Sequence, residues 1–126
     1  MEIEEFTVVL EAADFDRTCR FYGEVMSLPR LRSWSAESGR RAVFRAGTGL
    51  IEIKSGVQRR KPARSMSDGA PRPTLTLTVS SAQEAYERLI FREKNIPGGL
   101  KTEPDGRTVF ETHDPDGVVI LLSEPE

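Results

Sequence analysis

The chain has 126 residues, 37% of them apolar and 30% charged, with a net charge of −2. That length fits one compact domain or two small units sharing a core, because either half alone would be marginal. A near-neutral balance argues against a polyanion-binding protein, and the lack of a long apolar run or a signal-peptide pattern leads us to expect a cytoplasmic protein with no membrane partner. With one cysteine, Cys19, and one histidine, His113, neither an internal disulfide nor a Cys/His zinc cluster can form, so any metal would need mostly oxygen ligands.

In chain order, Phe6 to Glu11 is β-rich and short enough for a strand. Asp14 then stands as a helix N-cap, with Asp16 in the first turn where the helix dipole favours negative charge. Phe15, Cys19, Tyr22 and Met26 recur at helical spacing, which predicts a helix from about Asp16 to Val25. Ser27-Leu28-Pro29 ends it, and Leu31 to Ser35, containing Trp34, reads as a short strand. After a turn at Glu37-Ser38-Gly39 comes a hairpin: Arg41 to Arg45, then Ala46-Gly47-Thr48-Gly49, then Leu50 to Lys54.

Between Ser55 and Pro73 the composition shifts to Gly, Pro, Ser and basic residues, the signature of a linker. Its cluster Arg59-Arg60-Lys61 with Arg64 has no interleaved aromatic for base stacking, so we read it as a solvated connection rather than a nucleic-acid surface.

The pattern then restarts. Thr74-Leu75-Thr76-Leu77-Thr78-Val79 alternates strictly, as a half-buried strand does. Ser81-Ala82-Gln83-Glu84 is a capping box, and Ala82, Ala85, Tyr86, Leu89 and Ile90 give the following helix an apolar stripe that ends before Asn95, Pro97, Gly98 and Gly99. A short segment at Leu100 to Thr102 leads to a second hairpin, in which Asp114-Pro115-Asp116-Gly117 joins Thr108 to His113 with Val118 to Leu122.

Each half is therefore strand, helix, then three strands. The expected fold is α+β, a single domain 1–126 of paired βαβββ modules at about 1–54 and 74–126, with curved mixed sheets around a cleft and helices outside. Side-chain alternation places Val8, Leu10, Ile51, Ile53, Leu75, Leu77, Ile120 and Leu122 under the helices. It places Thr7, Val9, Glu11, Leu50, Glu52, Lys54, Thr74, Thr76, Thr78, Val119, Leu121 and Ser123 on the cleft side.

The run Asp14 to Tyr22 with Phe21-Tyr22-Gly23, the strand Leu50-Ile51-Glu52-Ile53, and Asp114-Pro115-Asp116-Gly117 before a terminal strand together resemble the vicinal oxygen chelate superfamily. That superfamily holds glyoxalase I, extradiol dioxygenases, fosfomycin-resistance enzymes and bleomycin-resistance proteins. The resemblance implies a homodimer and, in metal-using members, a divalent ion held by the first and last strands of each module. Carried onto this chain, those positions are Thr7, Glu52, Thr74 and Leu121, of which only Glu52 is a strong ligand type. One carboxylate and two neutral hydroxyls suit Mn²⁺, Fe²⁺ or Ni²⁺ poorly, so no metal and no other cofactor is expected.

Glu52 then needs another partner, and a two-residue period puts Arg45 on the same face one diagonal away, with Lys54 nearby. Trp34 is placed to stack on a flat ligand, and Phe110, with Thr112, to reach the cleft from the second module. His113 sits at a hairpin end and reads as exposed, Cys19 as a buried small apolar side chain, and Tyr22 and Tyr86 as core. The expected function is binding or sequestration of a small organic molecule, as in bleomycin-resistance proteins, through Trp34, Arg45, Glu52 and Phe110 with Thr7, Thr74 and Leu121. Arg45 and Lys54 make the cleft mixed in charge, which does not favour a cationic, bleomycin-like ligand. The alternative is a metal-dependent lyase or dioxygenase with an atypical site around Glu52.

Overall fold

Two helix caps set the frame of the structure, a computed structural model that describes residues 1–56, 73–92, 94 and 96–125. Asp14 accepts a hydrogen bond from the Arg17 N–H at 3.2 Å, and Ser81 accepts one from the Glu84 N–H at 3.2 Å, each satisfying a donor that the first helical turn leaves open. At the second helix a further carboxylate helps, since Glu124 Oε2 accepts from the Ala82 N–H at 3.0 Å.

The chain divides into two compact units, Met1–Ala70 and Pro71–Glu126. The first contains β1 (Thr7–Ala12), α1 (Phe15–Arg20), a π-helical turn (Phe21–Val25), β2 (Arg30–Ala36), β3 (Gly39–Ala46) and β4 (Gly49–Ser55). The second contains β5 (Thr74–Thr78), α2 (Ala82–Phe91), β6 (Lys101–Thr102), β7 (Thr108–His113) and β8 (Val119–Ser123). Each unit has a four-stranded mixed sheet, in the order β1-β4-β3-β2 and β5-β8-β7-β6. The first strand of each unit pairs in parallel with the last, and the remaining pairs are antiparallel. The fold is thus α+β, built from two βαβββ modules. Thr7 pairs with Leu50 and Thr74 with Val119, so the repeat holds in register as well as in element order.

Local chemistry fixes both hairpins. Ala46 pairs with Gly49 across the two-residue loop Gly47-Thr48, whose glycine takes φ +62°, as the tight turns that match strand twist require. In the second hairpin the Gly117 N–H donates to the Asp114 carbonyl at 3.0 Å, and the Asp114 side chain accepts from the N–H groups of Asp116 and Val118 at 2.8 and 2.9 Å. Asp114 is 5% exposed, and the turn bends both of these backbone donors onto its Oδ1.

The cores form between helix and sheet. In the first unit Leu10, Ala42, Phe44, Ile51 and Ile53 are buried, and Tyr22 packs on Phe44 with ring centroids 6.3 Å apart. A Cβ on Gly23 would lie 3.2 Å from Phe44 Cε1, so glycine lets the π-helical turn close onto that ring. In the second unit Leu75, Leu89, Ile120 and Leu122 are buried.

Several details differ from expectation. The first helix begins at Phe15 and its second half is π-helical, with the Met26 N–H reaching back to the Phe21 carbonyl at 2.9 Å. The last strand of the first module extends through Ser55, whose hydroxyl accepts from the Arg40 N–H at 2.9 Å. Ile90 faces outward rather than joining the apolar stripe. Residues 57–72 of the expected linker, including Arg59 to Arg64, and Asn95 lie outside the described residues. Among the described residues no helix is long and apolar enough to cross a membrane.

Candidate functional site

In the first unit, the sheet face turned away from α1 carries the polar and charged side chains. Register alone sorts them. Trp34 is the strand partner of Arg41, Arg41 of Lys54, Val43 of Glu52, and Arg45 of Leu50. Partners on adjacent strands share a face, so Arg32, Trp34, Arg41, Val43, Arg45, Leu50, Glu52 and Lys54 lie together, with Thr7, Val9 and Glu11 on β1.

At the centre of this face Arg41 Nη1 donates to Glu52 Oε2 at 2.6 Å, with side-chain exposures of 27% and 15%. A charge-assisted contact of that length, partly removed from water, is the strongest electrostatic feature of the face. It also corrects the expected pairing of Glu52 with Arg45. Arg41 and Arg45 flank Val43 on β3, so each is one diagonal from Glu52, and the structure closes the Arg41 diagonal. Arg45 is exposed and has no ion-pair partner among the described residues.

Trp34 stands beside the pair on the edge strand β2, every residue of which is exposed. The residue is 40% exposed, and the Arg32 guanidinium lies 5.7 Å from the ring centroid. An aromatic surface thus adjoins a fixed guanidinium.

In the second unit Thr74, Thr76, Val119, Leu121, Glu111 and His113 share the face away from α2. His113 is exposed, and its Nε2 lies 4.0 Å from Glu111 Oε2. Phe110 does not join them. It pairs with Leu122 on the opposite side, is 1% exposed and meets Tyr86 of α2 edge-on, with centroids 5.5 Å apart and planes at 77°. Phe110 is therefore core, and Thr112, of the same parity, is buried with it.

The positions carried over from metal-using proteins can now be tested against a metal. Thr7 is exposed, Leu121 offers no donor atom, and Glu52 gives one oxygen to Arg41. Among the described residues no group of three or more His, Cys, Asp and Glu side chains could hold an ion. The side chains at these four positions do not make a ligand set that fits a divalent metal.

A pocket of about 530 Å³ that the sequence did not reveal opens on the helix side of the first unit, lined by Asp16, Cys19, Arg20, Glu24, Arg30 and Phe44 among others. Arg30 lies 5.2 Å from the Phe44 ring centroid, and burial pushes the Cys19 thiol above its ordinary pKa. Both carboxylates of the lining have a guanidinium beside them. Arg20 is 3.6 Å from Glu24, and Arg40 grips Asp16 at 3.0 Å while lying 4.4 Å from the Phe15 ring centroid.

The sequence profile of the Glyoxalase/Bleomycin resistance protein/Dioxygenase superfamily matches residues 6–122. The chain belongs to this superfamily. Among solved structures, a glyoxalase family protein from Enterococcus faecalis is similar at 23% identity and TM-score 0.76, covering 98% of this chain and 97% of its own. TioX from Micromonospora sp. ML1 is similar at 18% identity and TM-score 0.77, covering 95% and 97%. Lactoylglutathione lyase from Agrobacterium tumefaciens is similar at 16% identity and TM-score 0.69, covering 94% and 91%. At these identities the likeness speaks for the glyoxalase-type fold alone. A comparison with curated protein sequences returns no match.

Proposed function

We propose that this glyoxalase-superfamily protein binds a small organic molecule without a resident metal, on the sheet face that carries Trp34, Arg41 and Glu52, as a sequestering or carrier protein. The observation that carries the reading is the Arg41 to Glu52 contact at 2.6 Å. Where a metal-using relative would need a free carboxylate, this chain gives that carboxylate a guanidinium partner, and Thr7, Thr74 and Leu121 supply no replacement ligand. What remains is a binding surface of one aromatic ring, a fixed cation and apolar positions, a composition suited to ligand recognition. Of the contacts expected from sequence, Trp34, Arg45, Glu52 and Thr7 share this face, and Arg41 joins them. Thr74 and Leu121 hold the equivalent places in the second module. Members of this superfamily commonly pair as dimers, and we propose a homodimer here.

Trp34 is the sole tryptophan, so its emission reports directly on the proposed surface. Titrating metal-stripped protein with flat, polar organic compounds should give saturable changes in Trp34 emission that an added chelator leaves unaltered. Binding that appears only after a divalent metal is restored would instead support the lyase or dioxygenase reading.

A further inference from the structure

We infer that the ligand of this face is a flat aromatic acid, its carboxylate held by Arg41 and its ring stacked on Trp34. The inference rests on the small-molecule reading above and adds the ligand's charge and shape. Three observations carry it.

The first is the charge of the face. Among the described residues it carries Arg32, Arg41, Arg45 and Lys54 against Glu11 and Glu52, an excess of cations on a chain whose net charge is −2. Glu52 is engaged by Arg41, and Glu11 is the strand partner of Lys54. Arg45 has no carboxylate partner among the described residues. A face built this way attracts an anion and repels a cationic ligand.

The second is the state of Arg41. Glu52 takes one Nη1 hydrogen at 2.6 Å and thereby anchors the guanidinium at one nitrogen. A guanidinium has five N–H donors in a rigid fork, and among the described residues Glu52 alone accepts from this one. Donors left on a held fork match two oxygens of a carboxylate side by side, which a flexible ammonium would not do as well.

The third is the neighbour. Trp34 is the strand partner of Arg41, and partners on one face have Cβ atoms about 4.5–5.5 Å apart, so the ring and the guanidinium rise from neighbouring positions of the same face. Its ring already attracts the Arg32 cation at 5.7 Å, and the residue is 40% exposed on an edge strand.

The test uses three probes of one shape: 4-nitrobenzoate, 4-nitrobenzamide and 4-nitrobenzylamine, titrated calorimetrically into the full chain with Trp34 emission as a second readout. The inference expects the acid to bind at least about tenfold more tightly than the amide, with the amine weakest. Arg41→Lys keeps the charge and removes the fork, so it should weaken the acid about tenfold while leaving the amide unchanged. Because that variant could lose the Glu52 contact and its fold, wild-type protein supplies an independent check: added salt should weaken the acid and spare the amide. Equal affinity for acid and amide, or tighter binding of the amine, would overturn the acid while leaving a small-molecule site in place. Failure of all three probes to bind would overturn the small-molecule reading as well.

Discussion

Arg41 and Glu52 meet across a diagonal of the β3–β4 ladder, Nη1 to Oε2 at 2.6 Å, although their direct strand partners are Lys54 and Val43. Both side chains are largely withdrawn from water, so removing one strands the other's charge. Arg41→Ala or Glu52→Ala should each cost about 1–3 kcal/mol in denaturant unfolding. The double variant should cost less than the sum, because neither charge is then left alone. Arg45→Ala, on an exposed side chain with no described partner, should stay within about 0.5 kcal/mol of wild type. Additive single effects would mean that the contact contributes nothing.

Phe110 tests whether the second sheet is oriented as described. Its ring lies edge-on to Tyr86 at 5.5 Å, so Phe110→Ala should cost about 3–5 kcal/mol of stability, the penalty of a core cavity. A ligand contact on an open face would cost little. Thermal or urea unfolding of the variant decides between the two.

Thr112 presents the opposite case. Its Oγ1 is buried without a hydrogen-bond partner among the described residues, so the hydroxyl is desolvated with no compensating bond. Thr112→Val keeps the shape and removes the polar atom, and should be neutral or stabilising by up to about 1 kcal/mol. A clear loss of stability would show that the hydroxyl has a partner in solution.

The acid limb of stability should depend on Asp16. The hydrogen bond from Arg40, reinforced by its charge, holds the Asp16 carboxyl below its ordinary value of 3.8. A depressed carboxylate binds fewer protons folded than unfolded, so its contribution is present above pH 3.8 and is lost as pH falls through the lower folded value. Asp16→Asn should therefore lower the thermal midpoint at neutral pH, and the gap from wild type should close in strong acid. A gap that does not change with pH would contradict this. Both side chains are exposed, so added salt should shrink the effect.

Much of the fold was legible because the signals that set it are local. Asp14 and Ser81 cap helices wherever they precede an apolar stripe, and Asp114-Pro115-Asp116-Gly117 can close a hairpin on its own. Phe110 was misplaced although its parity was readable. The Asp114 turn makes His113 the partner of Val119 and therefore Phe110 the partner of Leu122, which alternation had already put under the helix. Arg41 is a different kind of omission. A two-residue period places Arg41 and Arg45 on one face, each a single diagonal from Glu52, and strand pattern cannot say which diagonal closes. Sheet twist and local burial decide that, and both arise only when the strands assemble. The helix-side pocket escaped for a similar reason, since Asp16, Arg30 and Phe44 are brought together by the packing of α1 on the sheet.

We propose that Glu52 serves Arg41 and not a metal ion. Calorimetric titration of metal-stripped protein with Mn²⁺, Ni²⁺, Zn²⁺ and, without oxygen, Fe²⁺, comparing wild type with Glu52→Gln, tests it most directly. Neither protein should bind any of these ions more tightly than about 1 mM. Micromolar binding to wild type that Glu52→Gln abolishes would contradict it and turn the search toward metal-dependent chemistry.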